Sequence, residues 1–233
     1  MPPLDRMRKI RRDIMRSIND YRERQQIPGV YQDILANKAA TEYAEFLLNN
    51  EESSSVITDI LQKHMIVGTV VPLVGFSFLE EDDGDDKVLH HEFMDAHGLL
   101  FELSEELEKL LDPKVTHVGI GFAWNKQQVK VVEFLSIKPL MINQLTESED
   151  GGVEIRGMML SSEVGLYAAR IVAIKNMKKD IKVVGPPNIQ FDKNTRTFIF
   201  AIEGPLENMF YSDDPKILEI YIRKQQIDKI QYG

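Results

Sequence analysis

The 233-residue chain has no cysteine, 43% hydrophobic and 28% charged residues, and a formal net charge of −9. This composition belongs to a folded protein of one large or two small domains, and it excludes disulfides, thiolate metal sites and cysteine nucleophiles. The acidic balance opposes general nucleic-acid affinity, the N-terminus lacks the apolar core of a secretory signal, and no segment reaches the ~20 apolar residues of a membrane span, so a cytoplasmic protein without a transmembrane segment is expected.

Leu4, Met7, Ile10, Ile14 and Ile18 recur at spacings of three and four, which predicts a helix with one apolar stripe that continues toward Tyr21. Its other face is basic. Within residues 1–16, Arg6, Arg8, Lys9, Arg11, Arg12 and Arg16 face only Asp5 and Asp13, so this arm stands at about +4 by count and the remainder at about −13. These six cations are the candidate partner-binding residues, because their field would attract an acidic protein surface. Residues 25–29, QQIPG, break the pattern. A second helix is expected from Tyr31 to Asn49, with Ile34, Leu35, Ala39, Tyr43, Phe46 and Leu47 on its buried side.

Val56 to Lys63 reads as helical, and Val67 to Leu79 as extended apolar chain interrupted by Pro72 and Gly75. The run EEDDGDD at 80–86 is expected as an exposed loop, since charges this dense resist joint desolvation. Helical patterning returns from His90 to Leu111, with Leu99, Leu103, Leu107, Leu110 and Leu111 as the apolar face, and Asp112-Pro113 ends it. Two β-type runs then flank the polar turn Asn125 to Gln128 and predict a hairpin.

Beyond Pro139 the helical period disappears. Short β-rich runs at 153–160, 166–174, 181–184, 196–202 and 217–223, separated by Gly, Pro, Asn and Asp, predict an antiparallel sandwich. Pro139 and the polar stretch TESEDGG depart from both patterns and place the domain boundary near Ile137 to Asp150. The expected α+β organisation is a basic helical arm over 1–16, a mixed domain over 17–137 and a β-rich, sandwich-like domain over 138–233.

Several chemistries fail on spacing. In the stretch from His90 to His97, His91 and Asp95 share a helical face, but no single face collects three ligands, and the order differs from HExxH. The acidic run lacks the alternate ligands and closing glutamate of an EF-hand loop. Gly119-Ile120-Gly121 lacks the third glycine of a dinucleotide fold, and no GxSxG frame occurs. His117, inside an expected strand, reads as a structural histidine, while Phe122 and Trp124 read equally as core or contact residues.

Three passages follow one another in a familiar order. Ile18-Asn19-Asp20-Tyr21-Arg22 precedes Ile27-Pro28-Gly29-Val30; Asn37-Lys38-Ala39-Ala40 precedes Tyr43-Ala44; and Leu111-Asp112-Pro113-Lys114-Val115-Thr116-His117-Val118-Gly119-Ile120-Gly121 closes the set. Over about residues 10–137 this order resembles the CAP superfamily, also called SCP or cysteine-rich secretory domains. The resemblance implies a CAP-like α/β/α sandwich, and many members carry a cleft of two histidines and two acids that sometimes holds a divalent metal.

Here that set is incomplete. The position of the second histidine, thirteen residues before Gly119, is Glu106, and Phe76 stands where the family's GEN passage would supply the first acid. His64 and Glu92 remain as the weak candidates for the other histidine and acid, so no catalytic residue, metal or cofactor is expected. The resulting expectation is a non-catalytic binding or scaffold component of a larger intracellular assembly, cytoskeletal or ciliary, whose partners are other proteins with acidic surfaces. The alternative is a metal-dependent hydrolase or lipid-binding CAP-type domain.

Overall fold

A computed structural model describes residues 4–79, 86–147, 149, 151–160, 169–175, 180–185, 187–204, 216–222 and 225–232. The chain divides into two compact units, Met1–Ile137 and Lys138–Gly233.

Unit 1 contains helices α1 (Leu4–Arg24), α2 (Ile34–Leu47), α3 (Ser54–Lys63), α4 (Asp86–Glu102) and α5 (Ser104–Leu110), and strands β1 (Tyr31–Gln32), β2 (Val70–Phe78), β3 (His117–Trp124) and β4 (Gln128–Ser136). The strands form one sheet in the order β1-β3-β4-β2. Period-two alternation along β4 sends Val129, Val131 and Leu135 to one core cluster and Val132 and Phe134 to another. The first cluster receives α1 and α4 through Ile10, Ile14, Ile18, Phe93, Ala96 and Leu100, and the second receives α2 and α3 through Ala39, Ala40, Tyr43 and Ile60. Helices thus cover both faces, the CAP-like α/β/α sandwich.

Helix α1 runs unbroken through residue 16, and the isoleucines on both sides of that point are fully buried in one cluster. The expected arm is therefore structurally the first turns of a core helix. Helix α2 starts at Asp33, whose carboxylate accepts from the backbone N–H groups of Leu35 and Ala36. Its first two turns present small buried residues, Ala36, Asn37, Ala39 and Ala40, with Tyr43 and Leu47 buried further along as expected, whereas Ile34, expected inside, is 71% exposed. The reason lies in β3: a Cβ on Gly119 would fall 2.3 Å from Ala36 Cβ, and one on Gly121 would fall 2.0 Å from the Ala40 carbonyl carbon. Backbone meets backbone here, so alanines rather than branched side chains fill the seam.

The helix expected over 90–111 is two helices broken at Leu103, which adopts extended backbone. Leu99 and Leu103 are exposed, and the buried face is Phe93, Ala96, His97 and Leu100. A third glycine sets this choice, since a Cβ on Gly75 would lie 2.0 Å from the Ala96 carbonyl oxygen. The hairpin is as expected: Asn125 Oδ1 accepts from the N–H groups of Gln127 and Gln128 and closes the turn between β3 and β4. Phe122 is core, and Trp124 packs partly buried against the same cluster. His117 is buried in β3.

Unit 2 holds β5 (Leu140–Glu147), β6 (Val153–Met159), β7 (Ala169–Lys175), β8 (Asp180–Gly185), β9 (Asn188–Asp192), β10 (Thr197–Ile202), β11 (Lys216–Ile222) and β12 (Gln225–Tyr232). They make two four-stranded sheets, β5-β6-β10-β9 and β12-β11-β7-β8, antiparallel throughout. Val153, Ile155, Phe198, Phe200 and Ile202 are buried in the first sheet and Ile220 in the second. Strands β9 and β12 go beyond the runs read from sequence. The stretch expected to hold the boundary is largely β5, paired with β6 from Leu140 to Glu147 with a bulge between Ile142 and Gln144; Leu140 is buried and Met141, Ile142 and Leu145 are half-buried among exposed polar residues, and the bulge breaks the alternation that would reveal a strand in the sequence. Of the acidic run 80–86, only Asp86 lies within the described residues.

Candidate functional site

The six candidate cations do not act alike. Arg8, Lys9, Arg12 and Arg16 are exposed along α1, with Arg8 and Arg16 3.7 Å from Asp5 and Asp13. Positions 8, 12 and 16 lie one above another at i, i+4 and i+8, so they form a continuous basic strip. Arg6 is half-buried. Arg11 turns inward instead: its Nε donates to the Ile120 carbonyl at 2.9 Å, and its guanidinium lies 5.3 Å from the Phe122 ring centroid. Burial lowers its pKa from the ordinary guanidinium value. Arg11 therefore caps the part of β3 that runs past β1 and does not belong to the exposed strip.

Beside it opens a groove of about 730 Å³ lined by Arg11, Asn37, Lys38, Thr41, Glu42, Glu45, Lys63 and His64, with Ile34. Glu42, on α2, is the lining residue that gathers two partners. Lys63 Nζ lies 2.8 Å from both carboxylate oxygens, and His64 Nε2 lies 2.9 Å from Oε2. The hydrogen bond from Lys63, followed by that from His64, holds the Glu42 carboxyl below its usual range. A depressed carboxylate pKa contributes stability above the ordinary value of ~4.3 and loses it as pH falls through the depressed one. Glu42→Gln is expected to cost a few tenths of a kcal/mol at neutral pH, since the pair is partly solvated, and to flatten unit 1's acid-side stability loss. Trp124, the one tryptophan of the chain, reports this by fluorescence across denaturant titrations at pH 3 to 7.

His64 and Glu92 do not share a site. His64 is held against α2, whereas Glu92 on α4 accepts a 2.5 Å hydrogen bond from Ser77 Oγ. Ser77 has the parity of Leu73 and Gly75, the residues that meet α4, so the sheet separates the two candidates. Glu106, at the family's histidine position, pairs with Lys109 at 3.0 Å. The remaining histidines are also engaged: His90 with Asp13 at 3.2 Å, His91 with Asp95 at 3.4 Å, His97 Nδ1 with Glu133 at 2.6 Å in the core, and His117 Nδ1 with Thr116 Oγ1 at 3.0 Å. Among the described residues, no three His, Asp or Glu side chains converge as metal ligands. No helix there is long and apolar enough to cross a membrane.

Sequence reasoning missed Glu42 as the partner of His64 and Glu133 as the partner of His97. A glutamate inside the otherwise apolar run VVEFL is the available signal for the second.

Comparison with known proteins decides the family. Residues 4–132 match the model of the CFAP184 CAP-like domain, and residues 142–233 match that of the CFAP184 CBM-like domain. The chain belongs to the CFAP184 CAP-like family. A curated relative of this family's name, cilia- and flagella-associated protein 184 of Tetrahymena thermophila, is 33% identical over 228 residues, 97% of the chain and 28% of that protein. The chain thus spans about a quarter of the length of the curated relative it matches. Among solved structures, an extracellular SCP-domain protein from Bacillus anthracis aligns at TM-score 0.41 and 18% identity over 55% of this chain and 40% of that one. An outer surface protein of Borrelia burgdorferi aligns at TM-score 0.43 and 14% identity over 56% and 94%.

In this CFAP184-family chain the motif residues bond to one another. Asn19 Nδ2 donates to the Val30 carbonyl at 3.1 Å, and its Oδ1 accepts from Val30 N–H at 2.7 Å. Asn37 Oδ1 accepts from Ile120 N–H at 2.7 Å. Fully buried Arg22 donates to the carbonyls of Pro28, Leu110, Asp112 and Val115 at 2.8, 2.5, 3.2 and 3.1 Å. Each bond joins one motif passage, or its flank, to a carbonyl or amide that secondary structure leaves open.

Proposed function

We propose that this chain is a non-catalytic binding and scaffold module of a ciliary assembly. The observation that carries the reading is the use made of the family's polar motif residues: Asn19, Arg22 and Asn37 are spent on internal backbone groups, and His64 and Glu92 on separate internal pairs. What remains outward is surface, with no converging acid, base and nucleophile among the described residues to run a reaction. The ciliary setting is drawn from the Tetrahymena relative, a cilia- and flagella-associated protein. The partners are proteins with acidic surfaces, drawn to the strip Arg8, Lys9, Arg12 and Arg16 on an otherwise acidic chain.

Changing Arg8, Lys9, Arg12 and Arg16 together to glutamine is expected to lower retention on isolated axonemes and to leave the residual binding less salt-sensitive. Screening shortens the reach of such contacts from ~10 Å at 0.1 M salt to ~3 Å at 1 M. Unchanged retention and salt response would reduce the strip to a solvated helix face. By contrast, His64→Ala and Glu92→Ala are expected to leave retention as in wild type. A large loss with the fold intact, or a stoichiometric metal in the purified chain, would favour the hydrolase or lipid-binding reading instead.

A further inference from the structure

Strand β2 ends the sheet of unit 1 with a row of open backbone groups. Along β3, Val118 O accepts from Asp33 N–H, and Ile120 N–H and C=O bond to Asn37 and Arg11, so the even residues of β3 point away from β4. The odd ones bond to residues 136, 134, 132 and 130 of β4. Residues 135, 133, 131 and 129 of β4 therefore turn to 71, 73, 75 and 77 of β2. The N–H and C=O groups of Val74, Phe76 and Phe78 consequently face outward, and among the described residues no strand lies beyond β2. Pro72, which has no N–H, guards the outward row on one side. Nothing comparable guards Val74 to Phe78 among the described residues.

The side chains of this open stretch are aromatic and uncovered. Phe76 is 42% and Phe78 is 69% exposed, their rings meet edge-on with centroids 5.6 Å apart, and Lys130 Nζ stands 4.9 Å from the Phe76 ring centroid. An exposed, apolar, hydrogen-bond-hungry edge is the surface that proteins normally blunt, by charge, bulge or cover. Phe76 occupies the place where the CAP resemblance implies an acid.

We propose that β2 takes up a strand of a partner protein, which extends the sheet along Val74–Phe78. The open N–H and C=O groups require an extended occupant, since a helix has no backbone groups to offer them. Alternate side chains of that strand pack on Phe76 and Phe78, so they are apolar. The sequence leaving β2 is EEDDGDD, six carboxylates in seven residues, on a chain of net charge −9. Lys or Arg at the corresponding end of the incoming strand matches that charge, whereas a second copy of this chain brings the same negative charge with it.

The test selects twelve-residue peptides from a random displayed library on the immobilised full chain, then measures binding of the enriched peptides in solution. The expected peptides alternate apolar residues and carry Lys or Arg at one end. Phe78→Pro, which removes an outward N–H and a ring without touching the β4 ladder, weakens them by about tenfold or more. Phe76→Ser with Phe78→Ser keeps the amides and loses the packing, so it weakens binding too. Hydrogen exchange on the peptide-bound chain slows at the amides of Val74, Phe76 and Phe78, while Leu73, Gly75 and Ser77 are already protected. No enrichment, equal binding by Phe78→Pro with its melting unchanged, or unaltered exchange at the three amides each overturns the proposal. A concentration-dependent dimer abolished by Phe78→Pro would replace the partner strand with a second copy and overturn it as well.

Discussion

Arg22→Met is expected to lower the stability of unit 1 by about 3–5 kcal/mol, because it leaves buried carbonyls without the charged donor that satisfies them. The guanidinium is fully buried at the end of α1 and reaches four carbonyls, one in the turn after α1 and three around the end of α5 and the approach to β3. Desolvation lowers its pKa and the nearby charge of Asp112 raises it, in that order of size. The cationic form is stabilised by carbonyl dipoles rather than by a dedicated ion pair. Methionine fills much of the volume, so the loss measures the donors and not a cavity. Arg22→Lys is expected to recover only part of it, since an ammonium cannot fork toward carbonyls on two sides. Denaturant unfolding followed by Trp124 isolates unit 1, where the single tryptophan lies, from unit 2. A loss below about 1 kcal/mol for Arg22→Met would mean that water replaces the guanidinium and that the bracket is dispensable.

The second large effect is a methyl group with opposite signs at two glycines. Gly121→Ala places a Cβ 2.0 Å from the Ala40 carbonyl carbon and 2.1 Å from Thr41 N, atoms of a helix backbone that cannot rotate aside. Helix α2 must lift from the sheet, and overpacking of this kind costs about 1–3 kcal/mol or more. The displacement also strains the Asn37 hydrogen bond to Ile120, since both belong to the same seam. Gly98→Ala, in α4, meets nothing within 4 Å. There the change reduces the freedom of the unfolded chain and is expected to stabilise by about 0.5–1 kcal/mol. The pair, measured by the same Trp124 titration, separates a steric requirement for glycine from mere helix propensity. Equal shifts at both sites would show that α2 does not rest so closely on β3.

The resemblance to CAP proteins is legible in the sequence, whereas the fate of the cleft residues is not. The passages that carry it, around Arg22, Asn37 and Gly119 to Gly121, are short polar or glycine-containing strings: Arg22 and Asn37 bond open backbone groups, and the two glycines let α2 rest on β3. A cleft residue has no such local signature. His64 and Glu92 looked like remnants of one site, and only the side of the sheet on which each lies separates them.

Period and composition by themselves determined much of this protein. The isoleucines at three and four, the hairpin turn at Asn125, the absence of cysteine and the loss of helical period after Pro139 follow from local physics, and each is read without knowing a single contact. Tertiary structure decided the rest, because the competing patterns were locally equivalent. The leucine series 99, 103 and 107 is as good a helix face as Phe93, Ala96 and Leu100, but a glycine on β2 lets only one of them approach the sheet. Leu140 to Glu147 is polar enough for a linker until β6 supplies its hydrogen bonds. Arg11 and Arg12 are adjacent cations of one basic helix; one caps Ile120 and the other faces solvent, since a helix turns 100° per residue and only one direction points at an open strand edge.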